Sequence, residues 1–357
     1  MNNTSNVDIN DKRTKKDFVG MSFSKFKKTE VKKQLLTSLI NGKLETSCYW
    51  SAELICAGHF LDMWEIIILC AGKHIHIGNP KLPIYIDMRV QSFKEIANSG
   101  YTDNELKMRN NTKIRELFAE LICILCFSRK MHSYNTIKIE KNDFNMTNLG
   151  FRLKADTIRY AQPIFMKEDP KELFVAINEL AFSVVEKNAN NHAACYWIEW
   201  ILEFEKICKK KKENCSCERR TFARVENKLQ MNIVWIIWEL LLHESTKRPK
   251  IIQKILQSVL SLFCIKYTSG TTSRRKHLIY FAVGLLTNTC STTIPIIENK
   301  NLIENIVKKI DTIYKQVKKN EVTPETDYLF RGLQKSNLEK TIEKIEKMNQ
   351  FNFVPRE

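Results

Sequence analysis

Four consecutive lysines, Lys209-Lys210-Lys211-Lys212, are followed closely by Arg219, Arg220, Arg224 and Lys228. Side chains of this kind neutralise phosphates and release counterions, so binding through them weakens with salt. A solvated helix end accounts for the same lysines, because cations suit the negative end of a helix dipole. Cys215-Ser216-Cys217 interrupts the stretch, and Cys208 stands just before it. Cys208, Cys215 and Cys217, with Cys195, His192 or His243 as a fourth donor, have the chemistry to hold zinc. Their spacing is nevertheless not that of two CxxC pairs. Further on, Thr268-Ser269-Gly270-Thr271-Thr272-Ser273 runs into Arg274-Arg275-Lys276. Backbone N–H groups at such a helix start can hold a phosphate. The glycine and lysine of a GxxxxGK[ST] loop are absent, and a capped Thr/Ser-rich turn explains the same residues.

Other reactive side chains stand apart. His74 and His76, in Lys73-His74-Ile75-His76, lack a carboxylate or cysteine at matching distance and read as structural histidines. Glu53 is either a buried acid or a rim residue. No GxSxG, HExxH, DxD or nucleophile–base spacing stands out, so no catalytic residue is assigned.

These groups must be positioned by helices. Gly (10) and Pro (8) are scarce in the 357 residues, which argues against a turn-rich β-protein. Apolar runs on a helical period predict helices at Val31 to Ile40, Cys48 to Gly58, Trp64 to Ala71, Asn111 to Phe127 and Pro170 to Lys187. Further ones are predicted at Ala193 to Lys210, Arg224 to His243, Lys250 to Ile265, Arg274 to Asn288, Leu302 to Lys318 and Asn337 to Met348. The clearest stripe is Trp197, Trp200, Ile201, Phe204 and Cys208, with Glu199, Glu203 and Lys206 opposite. The tryptophans lie in apolar helices and read as core. Strand-like alternation is confined to Thr136 to Ile139 and Leu82 to Ile86. The fold class is all-α.

Short matches recur in the same order along the chain. Cys48-Tyr49-Trp50 returns as Cys195-Tyr196-Trp197, and Trp64-Glu65-Ile66-Ile67 as Trp235-Ile236-Ile237-Trp238. Pro80-Lys81-Leu82 then matches Pro249-Lys250-Ile251, and Val90-Gln91-Ser92-Phe93 matches Leu256-Gln257-Ser258-Val259. Tyr101-Thr102 matches Tyr267-Thr268, and Phe118-Ala119 matches Phe281-Ala282. This order predicts two diverged copies of a multi-helix unit. Residues 1–20 read as a disordered basic arm, 21–130 as the first copy and 131–168 as an irregular connector. Residues 169–292 form the second copy and 293–357 a C-terminal helical segment. The second copy carries about 24 extra residues, a basic insertion at 209–232, where function peculiar to this chain is expected.

Cys48-Tyr49-Trp50 through Ile77-Gly78-Asn79-Pro80, with Gln91, resembles the helical collar of clamp-loader-related AAA+ proteins of the RarA kind. That resemblance covers about 60 residues and lacks the ATPase core. It implies an oligomerisation or DNA-transaction scaffold without ATP hydrolysis. The Asn/Lys/Ile-rich style and the Cys-Tyr-Trp-led helix are similar to uncharacterised proteins of large nucleocytoplasmic DNA viruses, a resemblance that implies no activity.

Lys+Arg exceed Asp+Glu by 57 to 40, a formal charge of +17, which favours polyanionic partners. A- and T-rich codons would produce part of the same excess. Eleven cysteines without a leading apolar segment, most of them in apolar runs, point to a reducing, cytoplasmic compartment. The sequence therefore leads to a non-enzymatic helical scaffold, with no membrane span and no required cofactor. It would bind DNA or RNA through Lys209–Lys228, helped by Arg274–Lys276 and the basic arm, in viral-type replication, transcription or packaging. The alternative is a structural or virion protein that meets other proteins, or copies of itself, through its helical faces.

Overall fold

The computed structural model describes residues 7–101, 104–135, 137–213 and 215–322. They are α-helical with short 3₁₀ turns and form no sheet; one isolated antiparallel bridge joins Met21 to Lys27. Among them no helix is long and apolar enough to cross a membrane.

The first half begins with α1 (Lys28–Ile40), packed along α2 (Leu44–Cys56). Gly42 (φ +66°) makes the turn between them, a backbone region that costs glycine little. Then come α3 (Phe60–Leu69), α4 (Leu82–Asn98) and α5 (Thr112–Phe127). Asn111 caps α5 by accepting the Ile114 N–H at 3.2 Å. The α3 helix widens at its end into a π-helical turn, Cys70–Ile75, and the chain then passes through His76 at φ +32°. The strand-like piece Leu82 to Ile86 is instead the start of α4. Pro83 sits in the first turn, where its missing N–H has no partner to lose.

After the connector, which holds the short α6 (Met146–Gly150), α7 (Phe174–Val184) packs along α8 (Asn191–Lys211). Next come α9 (Val234–Ser245), α10 (Lys250–Cys264) and α11 (Thr271–Thr287). The halves meet along α4 and α10. Then α12 (Lys300–Lys308) returns to α5 and α13 (Asp311–Lys318) to α2. The predicted helix Leu302 to Lys318 is broken at Ile310, whose side chain is buried at the bend. The predicted helix Arg224 to His243 starts only at Val234, because the preceding residues belong to an irregular loop. Asn337 to Met348 lies outside the described residues.

One apolar cluster runs through both halves. Trp64, Trp197, Trp200, Trp235 and Trp238 are buried in it, as expected of core tryptophans. Trp238 packs on Phe263 with ring centroids 5.2 Å apart, and truncating such a residue costs about 3–5 kcal/mol.

The basic arm is the main correction to the layout. From residue 7 onward it is packed: Val7, Ile9 and Phe18 are buried. Asp11 pairs with Arg13 at 2.5 Å, and the Arg13 guanidinium lies 4.8 and 4.6 Å from the ring centroids of Phe18 and Phe23. Apolar residues between the charges supply the burial that a disordered arm would lack. Lys12, Lys15 and Lys16 remain exposed.

Candidate nucleic-acid interface

The stripe on α8 buries Trp197, Trp200, Ile201 and Cys208, which leaves the lysines at the helix end in solvent. Lys212 ends the helix in the left-handed conformation (φ +60°), its N–H turned back on the carbonyls of Cys208 and Lys209. Lys209 pairs with the buried Glu205 at 2.8 Å, and Lys211 pairs with Glu213 at the surface at 3.8 Å. Lys210 and Lys212 make no ion pair among the described residues.

Two arginines of the expected interface are not available to a ligand. Arg220 is 1% exposed and donates to Asp169 at 2.7 and 2.6 Å, to Glu239 at 2.8 Å, and to the carbonyls of Glu218 and Ile164. It ties the connector, the insertion and α9 together. Arg275 is also buried; it pairs with Glu65 of α3 at 2.7 Å and donates to the Leu262, Phe263 and Ile265 carbonyls at the end of α10. A guanidinium offers five donors; the protein takes up all five of Arg220 and, in Arg275, the Nε, both Nη1 hydrogens and one of Nη2. Lys276 is half-buried and pairs with Glu199 at 2.7 Å, beside the Tyr280 hydroxyl that bonds the same carboxylate.

The remaining cations face outward. Arg219 is exposed, resting on Gln230 at 2.6 Å and Asn227 at 2.7 Å. Arg274 is exposed over the Thr268 and Thr271 hydroxyls at 3.3 Å. Thr271 itself accepts the Thr268 N–H at 2.9 Å, the capped turn that was one reading of this loop. Arg224 is exposed and makes no ion pair among the described residues.

The cysteines do not converge on a metal. The Cys215 thiol hydrogen-bonds with Cys208, whereas the Cys217 thiol turns to the Asn232 carbonyl at 3.3 Å. Among the described residues no three His, Cys, Asp or Glu side chains come together as a ligand set. Burial pushes the Cys217 thiol up to about 12. Other candidates are structural too. His76 meets the His132 carbonyl at 2.9 Å, and burial lowers its basicity. Glu53 is fully buried and accepts from the Ser22 hydroxyl (2.8 Å), the Ser24 N–H (2.9 Å) and the Ser24 hydroxyl, anchoring the loop before α1.

A cleft of about 850 Å³ opens where the halves meet, a site that the sequence did not reveal. Its walls come from α3, α4, α10 and the loop around Phe222. Lys94, Lys254, Lys266 and Arg224 stand on it, exposed and without an ion pair among the described residues. Asp87, the one carboxylate of its lining, accepts the Ser261 hydroxyl at 2.7 Å and so bridges α4 to α10. Gln91 and Gln257, which correspond in the two matched sequence segments, both line the cleft. Lys266 follows α10 in the left-handed region (φ +46°), next to the Ile265 carbonyl that Arg275 holds. A second hollow of about 390 Å³ continues past Arg224, Cys264 and Lys266 to Tyr267. Burial raises the Tyr267 hydroxyl, and the Glu205 charge adds to the rise, so the last turns of α8 lie within electrostatic reach. No protein-family model, curated protein or solved structure matches the chain.

Proposed function

We propose that this chain is a non-enzymatic helical scaffold that binds nucleic acid. Its cationic face joins the end of α8, with Arg219 and Arg274, to the cleft between the halves. The observation that carries the reading is the set of four cations, Lys94, Lys254, Lys266 and Arg224, none of them in an ion pair among the described residues, around a cleft lined by a single carboxylate, Asp87. A surface lysine that only solubilises a protein needs no such grouping; phosphates do. The reading of two diverged halves is supported by the recurring order of helices, α1–α5 and α7–α11, and by the meeting of α4 with α10. A role in viral-type replication, transcription or packaging belongs to the same proposal and rests on the sequence resemblance.

Fluorescence anisotropy with labelled single- and double-stranded DNA and RNA across a salt series tests it. Wild type is compared with a variant in which Lys209–Lys212, Arg219 and Arg224, together with the cleft lysines Lys94, Lys254 and Lys266, are changed to Gln. Each phosphate contact adds about 0.7–0.9 to the log–log salt slope, so the variant slope is expected to flatten by several units. Binding that is absent at physiological salt, or untouched by the substitutions, overturns the reading and turns the search to protein partners.

A further inference from the structure

We infer that the cleft between α4 and α10 takes an unpaired, single-stranded segment of nucleic acid, with its bases turned inward and its phosphates on the rim. The inference rests on the nucleic-acid reading and adds the class of strand and the residues that hold it.

The lining has two chemistries at two levels. Cations stand at the edge: Lys94 on α4, Lys254 on α10, and Lys266 and Arg224 at the far end. Aromatic rings lie within. Phe222 is half-buried, edge-on to Trp235 at 6.4 Å, and Phe93 stacks edge-on to Trp64 at 5.6 Å. Both Phe222 and Phe93 line the cleft, as does Trp64, whose indole N–H is buried without a hydrogen-bond partner. A duplex keeps its bases stacked inside and presents only phosphates, so it would meet the rim and leave this interior bare. A single strand offers flat apolar faces and phosphates in alternation, which matches both levels.

The amides of Gln91 and Gln257 are exposed in the same cleft. Each carries donors and an acceptor, so each can meet the edge of any base. Recognition of this kind tolerates sequence. The cleft is also held in place before any ligand arrives: Ser261 donates to Asp87 across the two helices, and Arg275 fixes the chain end from which Lys266 projects. Arg275, counted as a phosphate contact in the sequence, is thereby a positioning residue for one.

The test pairs affinity with a map of contact. Fluorescein-labelled single-stranded DNA and RNA, and a hairpin duplex, are titrated into wild type, into Lys94→Glu/Lys254→Glu/Lys266→Glu, and into Phe222→Leu. Single strands carrying 5-iodouracil are then photo-crosslinked and the adducts located by mass spectrometry. Wild type is expected to prefer the single strand by at least about tenfold, and the exposed lysine triple to lose about tenfold or more of that affinity without a change in melting temperature. Loss of one stacked base in Phe222→Leu is expected to weaken the single strand about five- to hundredfold, and wild type is expected to crosslink at Phe222 or Phe93. Equal affinity for duplex and single strand, or crosslinks confined to the α8 end, overturns the cleft inference and leaves the nucleic-acid reading standing. Failure of every probe to bind removes both. Should Phe222→Leu not fold, the lysine triple and the crosslink map decide.

Discussion

Both Nη groups of Arg220 close on the carboxylate of Asp169, at 2.7 and 2.6 Å, in a place where neither side chain is more than 1% exposed. A buried ion pair is costly to assemble, because two charges leave water, and costlier to halve. The pair also carries Glu239 and two backbone carbonyls, so the loop of 218–220 is set by one guanidinium.

Arg220→Gln is therefore expected to lower stability by about 3–5 kcal/mol, because Asp169 would stay buried and unpaired. Urea denaturation followed by circular dichroism measures it. A change below ~1 kcal/mol would show that the network is dispensable.

Adjacent arginines are expected to behave oppositely. Arg274→Gln removes an exposed side chain over two threonine hydroxyls and leaves the melting temperature almost unchanged. Arg275→Gln uncaps three carbonyls at the end of α10 and strands Glu65, lowering stability by several kcal/mol. Thermal melts of the two variants side by side check the contrast.

Acid should destabilise the protein in two stages. Burial holds the His277 imidazole down from 6.5 to about 3, so between those values the unfolded chain binds a proton that the folded chain refuses. Stability therefore falls as pH drops below about 6.5. For Asp62, burial alone would raise the carboxyl, but hydrogen bonds from Lys32 and Lys28 hold it below its usual 3.8; its contribution is present above that value and lost below it. Chemical denaturation at stepped pH is the measurement, and His277→Gln should shallow the first stage while leaving the second.

Thiol labelling gives a separate check on packing. Cys48, Cys56, Cys70, Cys123, Cys126, Cys195, Cys208 and Cys217 are buried, and only Cys215, Cys264 and Cys290 are partly open. Native protein should react with an aromatic disulfide reagent at these three positions at most, and slowly, since burial lifts Cys264 to about 11 and Cys215 to about 12. Fast reaction at more positions would mean a looser core.

Gly78 faces the carbonyl oxygen of Arg129, which an added Cβ would meet at 2.6 Å. Because that neighbour is backbone, Gly78→Ala is expected to cost about 1–3 kcal/mol in the denaturation midpoint. A neutral outcome would show that the 128–131 segment yields.

The parts of the molecule that the sequence disclosed are those written in periodicity. The Trp197–Cys208 stripe marked α8, and the buried tryptophans follow from apolar helices. Periodicity says nothing about partners. Arg220 and Arg275 read as two more cations in basic runs, and their burial depends on Asp169 and Glu65, 51 and 210 residues away. The cleft was hidden for the same reason: Lys94, Arg224, Lys254 and Lys266 are scattered along the chain and meet only when α4 packs on α10. In the N-terminal stretch, the charges of Lys12, Arg13, Lys15 and Lys16 masked the anchors Val7, Ile9 and Phe18. There a count of charged residues misleads, since three apolar side chains suffice to dock an extended segment.

That docking has a consequence for the order of events during synthesis. Ile9 and Asn110 exchange hydrogen bonds at 2.9 and 3.0 Å, a contact the nascent chain can make once α5 has begun. Asp11 accepts the N–H of Val322 at 2.9 Å across 311 positions, so on a ribosome it waits for nearly all of the described chain. Until then the first helices carry an open seam where α13 will lie. The segment around Asp11 is thus among the last of the described chain to be secured, and a pause before α13 would leave that seam as the place where a chaperone or a protease finds the unfinished fold.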